Sequence, residues 1–243
     1  MPRGWGMAAT KNDDPDAIGE TQTRPSGVFG DVPKPVIVAA AILAACYFGL
    51  EAAPARLADE IAEAFGFSPL RLAAAFAGGG GLPGALVTLF SHMAIHASIG
   101  HLFFNLLWLV VFGAPIARRL GGWRFALLLI LSAAAGALFF GIFHVRDATL
   151  LVGASGGVTG LLGGLVRFAF HRPLSRPATE RGVLPLVDRS VIIWSAVIIS
   201  MNAAVALFGP SIGAGDADIA WQAHVGGYLF GLIAFPLFDR KPR

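Results

Sequence analysis

The chain has 243 residues, 56% hydrophobic and 14% charged, with a mean hydropathy of +0.70. A soluble domain carries about a quarter charged residues, so this balance excludes an ordinary soluble protein and points to an integral membrane one. The pI of 9.5 does not indicate a nucleic-acid partner, because the basic residues are dealt out between apolar segments, and the single cysteine, Cys46, excludes an intramolecular disulfide.

Residues 1–33 are polar, carry both charge signs and several Pro and Gly, and lack the apolar core of a signal peptide. They read as a disordered cytoplasmic tail ahead of a membrane domain over residues 34–243. A bilayer core takes roughly 20 apolar residues, with a range of about 17 to 25. Six segments qualify: residues 36–53, 101–116, 123–143, 151–170, 191–209 and 219–238. Between the first two, Leu57, Ile61 and Phe65 repeat at helical spacing while Arg56, Asp59, Glu60 and Glu63 occupy other positions. That pattern predicts a short interfacial helix over residues 54–67. Residues 68–77 read as another, followed by the flexible glycines 78–81. Ser91, His92, His96, Ser98 and Gly100 suit a loop dipping into the membrane surface, so the second span is expected to start near Ile99. With the N-terminus inside, only Arg56, Arg71 and Arg146 of the 18 Lys and Arg fall outside. The predicted architecture is therefore an all-α bundle of six transmembrane helices with both termini cytoplasmic.

Spans two, four and six all enter the membrane from the outer face. His101 and Asn105 lie in the first turns of span two, Ser155 at the start of span four, and His224 a little further into span six. At a rise of about 1.5 Å per residue, the four side chains share one depth. Polar and ionisable residues inside a membrane are costly and default to functional hypotheses. Asn202, in span five, is expected to hydrogen-bond a neighbouring helix.

Span four carries Gly156, Gly160 and Gly164 at four-residue intervals, and span six carries Ala223, Gly227 and Gly231. Such small-residue stripes let membrane helices approach closely, and here they would bring Ser155 towards His224. The alternative is that the glycines only pack helices and Ser155 is a small residue among them. A serine hydroxyl needs a base to accept its proton. Apart from Glu51 at the end of the first, no Asp or Glu lies inside the six spans, so the pattern allows a Ser–His dyad rather than a triad. His101 and Asn105, spaced i, i+4 on one helical face, and the Ser155 backbone N–H would supply oxyanion donors.

His101-Leu-Phe-Phe-Asn105, Gly153-Ala-Ser155-Gly156 and Ala223-His224-Val-Gly-Gly227 resemble, in order, the three signature motifs of the rhomboid intramembrane serine proteases. The resemblance covers roughly residues 36–238. It implies a rhomboid-like bundle, Ser155 as nucleophile, His224 as general base, and His101 with Asn105 at the oxyanion. His96 and Arg119-Leu120-Gly121 also match features of the family. Three features depart from it. No Trp-Arg pair lies between Glu51 and Gly100, Thr159 stands where a histidine-stacking tyrosine is usual, and Ala117-Arg118 stands where an acidic residue is usual.

The activity expected is cleavage of transmembrane protein substrates near the outer face of the bilayer, with no cofactor, no metal and no nucleic acid involved. His92, His96 and His101 suggest a metal site, but no HExxH motif accompanies them. A coupled transporter would usually carry an intramembrane carboxylate. A catalytically inactive relative, acting as a binding or quality-control protein, would usually lack the serine or the histidine. The Ala-, Gly- and Arg-rich composition points to a bacterial inner membrane.

Overall fold

A computed structural model describes residues 32–170, 182–208 and 220–239. The tail expected over residues 1–33 lies outside these as far as residue 31. So do the outer segment around residues 209–218 and the basic residues Arg3, Lys11, Arg24, Arg172, Arg176, Arg181, Arg240, Lys241 and Arg243. The helices among the described residues run α1 (Lys34–Glu51), α2 (Ala55–Phe65), α3 (Pro69–Ala74), α4 (Leu82–Ser91), α5 (Ile99–Leu120), α6 (Gly122–His144), α7 (Ser155–Val166), α8 (Arg189–Phe208) and α9 (Trp221–Phe238).

The outer surface is apolar. Ile37, Val38, Phe103, Phe104, Ile142 and Leu237 are each more than half exposed, and apolar surface of this extent is rare on a protein that faces water. Among the described residues, α1, α5 and α6 are long and apolar enough to cross a membrane. Helix α2 behaves differently. It buries no residue and carries an exposed Arg56–Glu60 pair at 2.9 Å, which suits a helix lying along the interface.

The segment between α1 and α5 is more ordered than its sequence announced. Arg71 of α3 donates to the carbonyls of Glu63 and Gly66, each at 2.5 Å, and so closes the end of α2. Helix α4 begins after Gly81 (φ +71°) with Pro83 in its first turn, inside a stretch whose apolar run gave no clear boundary. A short 3₁₀ turn, His92–Ala94, follows. Ser98 then caps α5 by accepting the His101 backbone N–H at 3.1 Å.

The fourth apolar run is a correction. Residues 151–170 were expected to span as a helix, yet α7 is helical only over 12 residues, from Ser155 to Val166. Leu151 instead pairs with Phe67 in an isolated antiparallel bridge, so the chain stays non-helical until just before Ser155. Helix α7 is also the most enclosed element. Nine of its residues are buried, among them Leu161, which together with Leu109, Ile116, Phe125, Leu128 and Phe235 fills the main core.

At the opposite end from Ser155, Arg119 is buried between α5 and α9. It donates to Asp239 Oδ2 from Nη2 at 2.6 Å and from Nε at 3.2 Å. Its guanidinium also lies over the Phe168 ring, 4.4 Å from the centroid. Removing one partner of a buried pair leaves an uncompensated charge, at a cost of about 3–5 kcal/mol. Asp239→Asn is accordingly expected to lower the thermal unfolding midpoint in detergent by several degrees. The double variant Arg119→Met/Asp239→Leu should recover part of that loss, and equal midpoints for all three proteins would remove the ion pair from the fold's supports.

Candidate active site

The extended segment before α7 is held by its backbone. Phe67 and Leu151 exchange N–H···O bonds of 3.0 and 2.8 Å, and the Gly153 N–H donates to the His92 carbonyl at 2.9 Å. Gly153 has φ +109°, and a Cβ there would stand 2.6 Å from His101 Cε1 and Nε2. The position therefore requires glycine twice, for its left-handed backbone and for the ring against it. Ser155 is the first residue of α7. The opening N–H groups of a helix have no intrahelical acceptors and carry the positive end of its dipole.

The glycine stripes of α7 and α9 touch. A Cβ on Gly227 would overlap the Gly156 carbonyl, and one on Gly231 would overlap the Gly160 carbonyl. Helix α6 joins the same contact, since a Cβ on Gly136 would lie 2.5 Å from the Ala223 carbonyl oxygen and 3.3 Å from Gly156 Cα. Gly156 and Ala223 are the chain neighbours of Ser155 and His224, so three backbones converge one residue from each. Thr159, one turn below Ser155, places its hydroxyl 3.0 Å from the His224 carbonyl, with the Ser155 and Gly156 carbonyls at 2.9 and 3.0 Å. The threonine thus ties the α9 backbone rather than the histidine ring.

The ring of His224 is bonded from α8, where Asn202 Oδ1 lies 3.1 Å from His224 Nδ1. No hydrogen bond joins Ser155 Oγ to His224 among the described residues. His101 stands edge-on to His96, with ring centroids 5.1 Å apart. Burial pushes the His96 imidazole down to about 4, and the neighbouring His101 adds to the effect, which leaves it neutral at physiological pH. Asn105 is buried and donates from Nδ2 to the His101 carbonyl at 2.9 Å, while its Oδ1 finds no donor among the described residues.

Sequence reasoning did not find three contributors. Gly136 follows Ser132 by four residues, a small-residue spacing that the sequence reading did not single out. The His92 carbonyl acts through its backbone, which leaves no trace in residue type. Asn202 was expected to bond a neighbouring helix, but its partner, His224, was not foreseen. Only the placement of an amide in an apolar span signalled that it mattered.

The backbone contact of α7 with α9 has a direct consequence. Gly227→Ala should lower thermal stability by about 1–3 kcal/mol or more, the usual cost of overpacking, because the added methyl meets a carbonyl that cannot rotate away. Gly84→Ala, where a Cβ finds nothing within 4 Å, is the control and should unfold like the parent protein. Thermal unfolding in one detergent compares the two, and an unaffected Gly227→Ala would mean that the helices stand further apart than described.

The family model for the Rhomboid domain matches residues 83–240. Rhomboid-related protein 2 of Mus musculus is 28% identical over 155 residues, which is 62% of this chain and 48% of that protein. Rhomboid protease GlpG of Serratia proteamaculans is 31% identical over 144 residues, 59% of this chain and 45% of the relative. RHOMBOID-like protein 4 of Arabidopsis thaliana is 28% identical over 148 residues, 60% of this chain and 32% of the relative. The chain thus spans less than half the length of each of these relatives. With the family model matching well over half of an apolar helical bundle, the chain belongs to the rhomboid family, a family of helical integral membrane proteins.

Proposed function

We propose that this protein is an intramembrane serine endopeptidase that cleaves transmembrane segments of other membrane proteins near the outer face of the bilayer. The observation that carries the reading is the backbone contact of α7 and α9, which joins the neighbours of Ser155 and His224 at the positive end of α7. A relative named as a protease, GlpG, supports it. In this reading the chain crosses the membrane six times with both termini cytoplasmic. The composition favours a bacterial inner membrane, although relatives also occur in mouse and Arabidopsis.

The chemistry runs in two steps. His224 Nε2 takes the proton from Ser155 Oγ as that oxygen attacks the scissile carbonyl carbon. Negative charge then develops on the carbonyl oxygen, where the Ser155 N–H and the side chains of His101 and Asn105 would donate to it. The tetrahedral adduct expels the amine, which receives the proton from His224, and leaves an acyl ester on Ser155. A water molecule, deprotonated by the same histidine, attacks the ester, releases the new carboxylate and restores the hydroxyl.

Two measurements test this. Ser155→Ala and His224→Ala should each abolish cleavage of a model transmembrane substrate, and labelling by a serine-directed fluorophosphonate, while the unfolding midpoint stays near that of the parent. Full labelling of folded Ser155→Ala would remove the nucleophile assignment. A parent protein that neither cleaves nor labels would favour an inactive rhomboid-like binding protein. Asn105→Ala should slow turnover by about 10²–10³, the usual cost of a lost oxyanion donor. His101→Ala should act similarly, and the two losses need not add because both address one oxygen. If both single variants and the double variant cleave at the parent rate, His101 and Asn105 serve only to pack helices.

A further inference from the structure

Asn202 makes two hydrogen bonds that leave its amide no freedom. Nδ2 donates to the Ile198 carbonyl one turn earlier in α8, at 3.0 Å, and Oδ1 lies 3.1 Å from His224 Nδ1 on α9. A backbone carbonyl only accepts, so the amide nitrogen must face Ile198 and the amide oxygen must face the imidazole. An oxygen that only accepts then requires the proton of the ring on Nδ1. The opposite tautomer would set the Nδ1 lone pair against those of Oδ1 at the same distance. Rotating the amide by half a turn would relieve that clash only by setting oxygen against oxygen at Ile198.

In a neutral imidazole, a proton held on Nδ1 leaves the lone pair on Nε2. From this geometry we propose that Asn202 is a positioning residue that holds His224 as the Nδ1–H tautomer and keeps Nε2 free to accept a proton. The proposal rests on the reading of His224 as a general base. It supplies the third, orienting group that the apolar spans appeared to lack, as a neutral amide rather than a carboxylate. A neutral acceptor fixes the tautomer without introducing a charge into the membrane. It also stabilises the imidazolium less than a carboxylate would, and its removal should accordingly cost less than the roughly 10⁴ lost when a buried aspartate partner is neutralised.

The neighbouring contacts do not perform this task. Thr159 engages the backbone carbonyl of His224. Tyr228, one turn further along α9, pairs with Ser195 of α8 at 2.7 Å. The Ser195–Tyr228 and Asn202–His224 bonds bring α8 to the same face of α9, and of the two only the one from Asn202 reaches the imidazole.

The test uses the full chain in detergent. Asn202→Leu removes the acceptor at similar volume. Asn202→Asp keeps an oxygen for Nδ1 but, as a carboxylate, gives up the donor to Ile198, so it separates the two bonds. Asn202→Leu should lower kcat and the fluorophosphonate labelling rate at least about tenfold, a part of the about 10²–10⁴ that general-base catalysis contributes, with little change in KM. Asn202→Asp should return most of the lost rate. Equal loss in both variants, or a parent-like Asn202→Leu beside an inactive His224→Ala, would overturn the proposal and leave the protease reading standing. The protease reading fails separately, if Ser155→Ala and His224→Ala label at the parent rate. Should Asn202→Leu not fold, ¹⁵N resonances of the parent's histidines, with His224 assigned by its loss in His224→Ala, decide the matter. A protonated Nδ1 with a bare Nε2 is expected, and the reverse pattern overturns the proposal.

Discussion

Helices α7 and α9 meet backbone to backbone, and the order of the molecule follows from that contact. Lipid tails are as apolar as leucine, so helices inside a bilayer gain little by hiding side chains from it and associate through close packing instead. Gly156 against Gly227 and Gly160 against Gly231 provide that packing. Helix α6 is drawn in through Gly136, and through Ser132 against Gly160. Once the three backbones are that close, the first turn of α7 and the turn of α9 bearing His224 have little room to move relative to each other. Ser155 and His224 thus stand on neighbouring main chain that is held in place, which is the kind of support the proposed function needs.

The bundle is not held equally on all sides. The core of α7 is enclosed by α5, α6 and α9, and Arg119 with Asp239 fastens the far end. Helix α8 keeps most of its apolar side chains outward, with Ile192, Ile193, Trp194, Val197 and Met201 all exposed. Its polar grip on α9 runs through Ser195 and Asn202. The histidine therefore has a backbone fixed by the close contact of α7 and α9 and a ring held from a peripheral helix. If a substrate helix were to displace α8, the same movement would release the ring.

Much of this was legible before any coordinates. Glycines at fixed intervals, each stripe beginning beside a polar residue, pointed to α7 and α9 because helical periodicity converts sequence spacing directly into a face. What stayed hidden lacked such a conversion. Residues 151–154 are as apolar as the helix they precede, and only backbone bonds to Phe67 and His92, far away in sequence, keep them out of it. Arg119 and Asp239 are 120 positions apart, and charges at two span ends do not declare a partner. Asn202 was visible as an amide among apolar residues, but its direction depends on how α8 is rotated against α9, which an evenly apolar helix does not encode.

The extended stretch ahead of Ser155 also decides where this chain tolerates added length. Non-helical backbone at membrane depth persists only where protein satisfies its polar groups. Here that duty falls on Phe67 and on the carbonyl of His92, both in the segment between α1 and α5. Lengthening that segment near either residue would slip a hydrogen bond out of register and leave peptide groups facing hydrocarbon. Between the two, Gly78, Gly80, Gly81 and Gly84 border open space, and a loop of growing length there costs entropy only logarithmically. One connection thus combines two anchored ends with a permissive middle, a natural position for relatives to diverge or for an inserted tag to report on the protein without disturbing Ser155.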